Sequence, residues 1–421
     1  MVTKHERDNR RSTKVVAVLV TVAVTSAMGI ANSTAAVKFK GTIVMGVLAP
    51  FTGTNAQSAT SLMKGVNLAV NEINAAGGVN GKKIKVVTGD TVSDPTDAAS
   101  AASKMVNVDK AQFIVGPRTI TAPVVLPITQ RAKIPEFIVG GNTILDQNTD
   151  PYFFRTTPSD SQQGIAMAAY AISKGYKTAA LAFEQQPAAQ TLKDPIVKAF
   201  EKHGGKVVTV VDITPAQSSY RSEIQKLYSK KPDVIFTQVS SQTSSVFFPE
   251  VQQLEPGSTT PFIGSNTFDA SDWFQAVGPQ IATGAIYATQ SSSEGGEAYK
   301  HYLAEYKKAY KTDQIANLSQ GMYDAVMLGA LAIQESGATT GLKMARAVTK
   351  ISNPPGTLCA TFATCVKLLK AKKKINFDGS GGTVDFDKYH NVFGPFQVLH
   401  FDASGNIKVI STISSTTLRL W

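Results

Sequence analysis

The feature that most limits what this chain can fold into is a joint that recurs along it, a helix stopped by glycine and followed within a few residues by a strand. Its first occurrence is "NEINAAGGVNGKKIKVVTGD", Asn71 to Asp90. Upstream, Val66, Ala69, Val70 and Ile73 recur at helical spacing. Gly77 and Gly78 end that helix, because glycine adopts the left-handed backbone a helix C-terminus commonly needs. Val79-Asn80-Gly81 makes the turn and Ile84 to Thr88 the next strand. Since "GTIVMGVL" (Gly41 to Leu48) reads as a buried strand ahead of the helix, the unit is strand, helix, parallel strand.

The same order repeats. "DAASAASKMVNVDKAQFIVGP" and "VVLPITQRAKIPEFIVGG" each read as helix then strand, ending at Gly116-Pro117 and Gly140-Gly141. "QGIAMAAYAISKG" leads to the strand "KTAALAF", a helix near "LKDPIVKAFEKHGG" to "KVVTVVDI", and "YRSEIQKLYSKKPDVIFTQVS" and "SVFFPEVQQLEPGSTTPFIGS" follow the same rule. The economical fold class is α/β, with two doubly wound lobes whose right-handed crossovers put helices on both sheet faces. A length of 421 residues suits two such bodies.

The strand ends share a chemistry. Gly-Pro-Arg-Thr-Ile-Thr after Val115, Gly-Gly-Asn-Thr after Val139, Glu-Gln-Gln after Phe183, Ser-Ser-Gln-Thr after Val239 and Ser-Asn-Thr after Gly264 are small, polar and mostly uncharged. Open α/β sheets bind ligands beyond the carboxyl ends of their strands. Any one of these segments is explained as a helix N-cap. Five alike point to a cleft for a small polar molecule.

The N-terminus stands apart. Lys4, Arg7, Arg10, Arg11 and Lys14 precede an apolar run from Val15 to Ala31, then small residues that offer cleavage after Ser33 or Ala35. That order predicts a secretory signal over residues 1–35, with a retained membrane anchor as the alternative. No cysteine lies near the junction, so a lipid-anchored form through an N-terminal cysteine is excluded. The formal charge of +11 includes +3 from the first 14 residues, leaving about +8. Lys367, Lys370, Lys372, Lys373 and Lys374 form its densest cluster, read as a solvated face because no aromatics interleave it for nucleic acid. In an exported chain Cys359 and Cys365, its two cysteines, predict a disulfide, whose small loop constrains the unfolded chain by roughly 2–3 kcal/mol, and the excursion that carries them, "LCATFATCVKLLKAKKKINFDGSGG", is expected to be a surface elaboration.

Enzyme signatures fail. Gly77 to Lys82 has the wrong spacing for a phosphate loop and leads into a strand. Gly379, Gly381 and Gly382 precede the expected strand "TVDFD" and open no helix, and no Gly-x-Ser-x-Gly elbow exists. His203, His301 and His390 have no metal-binding spacing and read as surface residues; no cofactor or metal is expected.

Seven stretches carry a resemblance. They are "GVLAPFTG", "KGVNLAVNEINAAGGVNGKKIKVVTGD", "DPTDAASAASKMV", "FIVGP", "FFRTTPSDSQQG", "YDAVMLGALAI" and "GTVDFDKYHNVFGPFQV". The chain resembles a periplasmic-type solute-binding protein of the branched-chain amino acid (Leu/Ile/Val) class, the receptor component of an ABC importer. The resemblance implies a type I periplasmic binding protein fold, two lobes joined by three crossings near Thr157, Ile286 and Phe393, and a ligand trapped when they close. Lobe 1 would take residues 36–157 plus 287–393, and lobe 2 residues 158–286 plus 394–421. It implies a small-molecule solute, ABC permease subunits as partners, a monomer, no nucleic acid, and export to the periplasm or cell surface.

Residue by residue, the resemblance places Thr119, Ile120 and Thr121 at the first ligand strand end, one residue shorter than usual downstream. Gly140, Gly141 and Asn142 take the second, Asn142 standing where threonine is usual. Gln186 belongs to the opposite lobe, where Ala188 and Ser240 replace aromatics and Asn266 replaces the acid that neutralises an α-ammonium; Ser58 replaces an aromatic near the mouth. An ammonium with no carboxylate in a dry cleft costs on the order of several kcal/mol, which argues against a plain aliphatic amino acid. Glu184 or Asp269 could supply the negative charge under a shifted register, and Arg118 either neutralises a carboxylate or lies on the rim. Two other classes stand beside the importer reading: a ligand sensor for a membrane signalling receptor, marked by a kinase-bearing partner, and an enzyme reusing the fold, marked by solute turnover.

Overall fold

The computed structural model describes residues 38–53, 56–269, 271–293 and 295–421; the expected signal segment lies outside them. Within the described residues the repeated joint folds as its glycines dictate. Helix Gln57–Ala75 ends ahead of Gly77 and Gly78, both with positive φ (99° and 74°), and Asn80 and Gly81 turn the chain with φ of 50° and 77°. A Cβ on Gly78 would lie 2.2 Å from the Lys82 carbonyl oxygen, so only glycine fits there. Asn74 then clips helix to strand, accepting from the Ile84 N–H (2.9 Å) and donating to the Ile84 carbonyl.

Five strands form the first sheet: β1 (Thr42–Ala49), β2 (Lys83–Asp90), β3 (Phe113–Val115), β4 (Glu136–Ile138) and β5 (Phe153–Arg155). They are all parallel, in the order β2-β1-β3-β4-β5. The second sheet begins with β6 (Thr178–Glu184), β7 (Lys206–Ile213), β8 (Val234–Gln238), β9 (Phe262–Gly264) and β10 (Ile286–Ser291). A small sheet of β11 (Thr357–Cys359), β12 (Ile375–Gly379) and β13 (Gly382–Thr383) follows, before β14 (Phe396–Phe401) and β15 (Ile407–Ile413) return to the second. Its order is β15-β14-β10-β9-β8-β6-β7, with β14 and β15 antiparallel. Each large sheet packs separate apolar clusters on its two faces, Val47, Val66 and Leu331 opposite Leu48, Met105 and Ile114 in the first, Val211 and Phe262 opposite Phe183 and Phe200 in the second. Both are therefore doubly wound.

Three expectations need correction. The second crossing does not lie near Ile286, because β10 pairs with β9 and β14 as far as Ser291; the chain leaves the second sheet after that residue, so 287–291 do not belong with the first. "TVDFD" is no strand beyond Thr383, since only Gly382 and Thr383 pair with β12. Finally, the cysteine excursion is more than a surface elaboration. Cys359 and Cys365 are bonded, as expected, but both are buried, and Phe362, Ile375 and Phe377 join the first sheet's apolar core. The five lysines beside it are exposed.

A polar node ties the excursion down. Glu72 accepts hydrogen bonds from Tyr323 Oη (2.6 Å), the Phe362 N–H (2.8 Å) and His301 Nε2 (2.8 Å), so His301 is a paired residue rather than a bare surface one. Burial alone would raise the Glu72 pKa, but these donors outweigh it and hold it below the usual value. The Glu72 hydrogen bond raises that of His301 against the opposing effect of burial. Stability from His301 is thus full below its unfolded pKa and lost as pH rises through the raised folded value, whereas that from Glu72 is lost as pH falls through its depressed one. Glu72→Gln should weaken the node, speeding amide hydrogen exchange over residues 359–370 while leaving that of β6 and β8 unchanged. Among the described residues no helix is long and apolar enough to cross a membrane.

Candidate ligand-binding cleft

In each large sheet the strand order reverses once, between β1 and β3 in the first and between β6 and β8 in the second. Ligands of open α/β sheets sit at such reversals, outside the carboxyl ends of the strands. Here the two reversals open on shared space. One cavity of about 300 Å³ is lined by Pro50 after β1, Arg118 to Thr121 after β3, Glu184 and Gln186 at β6, and Gln238 to Ser240 at β8. A second, of about 280 Å³, adjoins it through Arg118, Thr119, Ala188, Gln238 and Thr267 and adds Gly141, Asp160, Asn266, Ser291, Asn317 and Leu318.

The structure therefore brings Thr119, Ile120, Thr121, Gly141, Gln186, Ala188, Ser240 and Asn266 around one space. Their roles differ. Thr119 Oγ1 accepts from the Gly141 N–H at 3.1 Å, which leaves its own proton to donate. Thr121 is buried, and its hydroxyl accepts from the Arg118 N–H at 3.0 Å, bracing the loop. Ser240 caps its helix and is bonded to Glu184. The Asn266 amide makes no hydrogen bond among the described residues, and neither do the side chains of Gln238 and Asn317; these tips are available to a solute.

Three expected residues do not line the space. Asn142 is turned into the protein: its Nδ2 donates to the Thr119 carbonyl (2.8 Å) and its Oδ1 accepts from the Ile144 N–H (3.1 Å), so it shapes the loop. Gly140 supports from behind, a Cβ there falling 2.3 Å from the Thr119 nitrogen. Ser58 sits half-buried on helix Gln57–Ala75, off both cavities. Gly141 lines the cavity because it lacks a side chain, since a Cβ would lie 1.7 Å from Asp160 Oδ1.

Asp160, Gln238, Asn317 and Leu318 were not expected here. Burial pushes the Asp160 carboxyl up to about 6 against the lowering effects of the Thr191 hydroxyl and of Arg155 and Arg118, while Asp146 adds to the rise. Thr191 donates to it at 2.6 Å. Behind it Arg155, fully buried, pairs with Asp146 at 2.6 Å and donates to the Asn142 carbonyl at 2.8 Å. Leu318 holds a φ of 60° at the start of helix Ser319–Ser336, a conformation unusual for a branched residue and often found at ligand sites. Its position at a helix start after a polar loop was the available sequence signal.

The charged groups lining the two cavities are Arg118, Asp160 and Glu184. Arg118 is half-buried, and burial lowers its pKa against the favourable pull of Asp160. Its guanidinium makes no hydrogen bond or ion pair among the described residues. Glu184 accepts from the Ser240 N–H (3.1 Å), the Ser240 hydroxyl (2.9 Å) and the Thr243 hydroxyl, and pairs with no cation among the described residues. Asp269, the other candidate acid, has a side chain outside those described. No group of three or more metal-binding side chains occurs among the described residues.

Comparison with known proteins agrees with this fold. A Pseudomonas aeruginosa amino acid binding protein is 29% identical over 230 residues, covering 52% of this chain and 58% of that protein. The chain spans just over half the length of the curated relatives it matches. The crystal structure of a leucine-binding protein from Thermotoga maritima superposes with a TM-score of 0.75 at 21% identity, covering 88% of this chain and 99% of the other. A Rhodopseudomonas palustris solute-binding protein of an ABC transporter, in complex with 3,4-dihydroxybenzoic acid, gives 0.69 at 19% identity over 89% and 98%. These relatives are binding proteins, not enzymes. Because the periplasmic binding protein family matches residues 42–406, nearly the whole described fold, the chain belongs to that family.

Proposed function

We propose that this protein is the extracytoplasmic solute-binding component of an ABC importer, capturing a small polar organic solute, an amino acid or related compound, by closure of two lobes. The lobes would be residues 36–157 with 292–393, and 158–291 with 394–421. Export would follow from the signal expected over residues 1–35, and membrane permease subunits would read the closed form. One observation carries the reading: the carboxyl ends of two doubly wound sheets line two adjoining cavities with amides that are unengaged among the described residues. A solute touching both ends stabilises closure by its differential affinity for the closed state.

The test is a thermal-shift screen of the purified protein against amino acids, small amides, ureas and carboxylates, followed by solution scattering. A true ligand raises the melting temperature with concentration and reduces the radius of gyration. Asn266→Leu should abolish that shift while leaving the ligand-free melting temperature within a degree or two, because the amide makes no hydrogen bond among the described residues. Ligand response undiminished in this variant would remove Asn266 from the site; absence of any response and of any compaction across the library would overturn the reading.

A further inference from the structure

Two side chains of opposite charge line the cleft on opposite sides, and among the described residues neither forms an ion pair. Arg118 follows β3 of the first sheet, half-buried; among the described residues no carboxylate lies within 4.0 Å of it, and Asp160 acts on it from beyond that distance. Glu184 ends β6 of the second sheet at 3% exposure, with three neutral donors and no cation paired to it among the described residues. Both line the same cavity of about 300 Å³, yet they form no ion pair with each other. A buried carboxylate is ordinarily paired or neutralised, and a carboxylate has about four lone-pair positions, of which three are used here. One acceptor position of Glu184 is thus unused, and both residues border the same cavity.

We propose that Arg118 and Glu184 form an opposed-charge clamp: the solute is a zwitterion whose anionic end is held by Arg118 and whose cationic end is held by Glu184. This rests on the solute-binding reading above and specifies its chemistry. It also answers the difficulty raised by Asn266, since the anion missing at that strand end is supplied from β6 instead. Asp160 is the weaker candidate for the cationic end, because Arg118 and Arg155 both act on it and Thr191 already donates to it. The clamp gives closure its selectivity. A solute carrying one charge satisfies one side and leaves the other desolvated as the gap closes, whereas a zwitterion satisfies both. The planar guanidinium suits a bidentate carboxylate, which fixes the polarity of binding.

Calorimetric titration of the unmutated protein decides between the alternatives without a variant. The probes are the twenty amino acids, 4-aminobutyrate and 5-aminovalerate, then, for the tightest of them, the matched compound lacking the amine and the matched amine lacking the carboxylate. We expect one zwitterion to bind and both truncated partners to bind at least 100-fold more weakly. Arg118→Met and Glu184→Gln should each weaken the zwitterion by at least 30-fold. The glutamine keeps the volume of Glu184 and can still bond Ser240 and Thr243, so the ligand-free melting temperature serves as the control for folding. If the amine-free carboxylate binds within threefold of its zwitterion, or Glu184→Gln binds normally, the clamp is wrong while the solute-binding reading stands. If no zwitterion binds, the clamp also falls, and the wider library and scattering above then decide the reading itself.

Discussion

Trp273→Ala is expected to destabilise the protein by about 3–5 kcal/mol, the cost typical of emptying a buried aromatic site. Trp273 is 1% exposed, with its ring 4.9 Å from Phe268 and 6.1 Å from Phe401, and its indole N–H donates to Ser244 Oγ at 3.0 Å. Truncation leaves a cavity and strands a buried hydroxyl. The effect should reach the cleft, because Phe268 lies in the turn Asn266–Asp269, which carries Asn266 and Thr267 to the cavity wall. Urea unfolding should show a lower midpoint, and titration with the solute found by the screen a weaker affinity. A variant as stable as the parent would mean that the aromatic stack does not anchor this turn.

The second large effect is a change in the pH dependence of stability. Glu136 on β4 is fully buried; burial pushes its carboxyl up to about 8, and Asp150 adds to the rise while the Thr129 hydroxyl, at 2.7 Å, opposes it. The folded pKa lies above the unfolded one. Between about pH 4.5 and 8 the folded protein therefore holds a proton that the unfolded chain releases, and stability falls as pH rises through that window. Glu136→Gln carries no such proton and should be more stable than the parent at pH 9, by on the order of 2–4 kcal/mol, with little difference at pH 4. Urea unfolding at the two pH values checks this. Equal pH slopes in parent and variant would show that Glu136 stays ionised in the folded state.

Much of this was legible in the chain before any coordinates. Helical spacing of Val66, Ala69 and Ile73, the glycine stops and the β-branched strands act over a few residues, so the local pattern suffices to read them. The polar segments after β3, β4, β6, β8 and β9 stood out for the same reason, since a strand end and the loop beyond it are contiguous. What was misread depends on distant partners. The sequence "IYATQS" suits a strand in either sheet, and pairing with Phe396 to Leu399 more than a hundred residues later assigns it to the second. Asn142 looked like a ligand group because it stands at a strand end where the resemblance places the solute, but the Thr119 carbonyl lies within its reach and takes it.

The sequence alone determined two parallel α/β halves, a disulfide, and strand ends rich in amides and hydroxyls, because these follow from residue type and short-range spacing. Tertiary structure decided which of those polar groups remain free. Glu184 accepts from Ser240 and Thr243 but pairs with no cation among the described residues, Asn142 is consumed by its own loop, and Arg118 forms no hydrogen bond or ion pair through its guanidinium among the described residues. The physical reason is that hydrogen bonding and charge pairing depend on distances of about 3–4 Å between groups far apart in sequence. No local pattern encodes those distances.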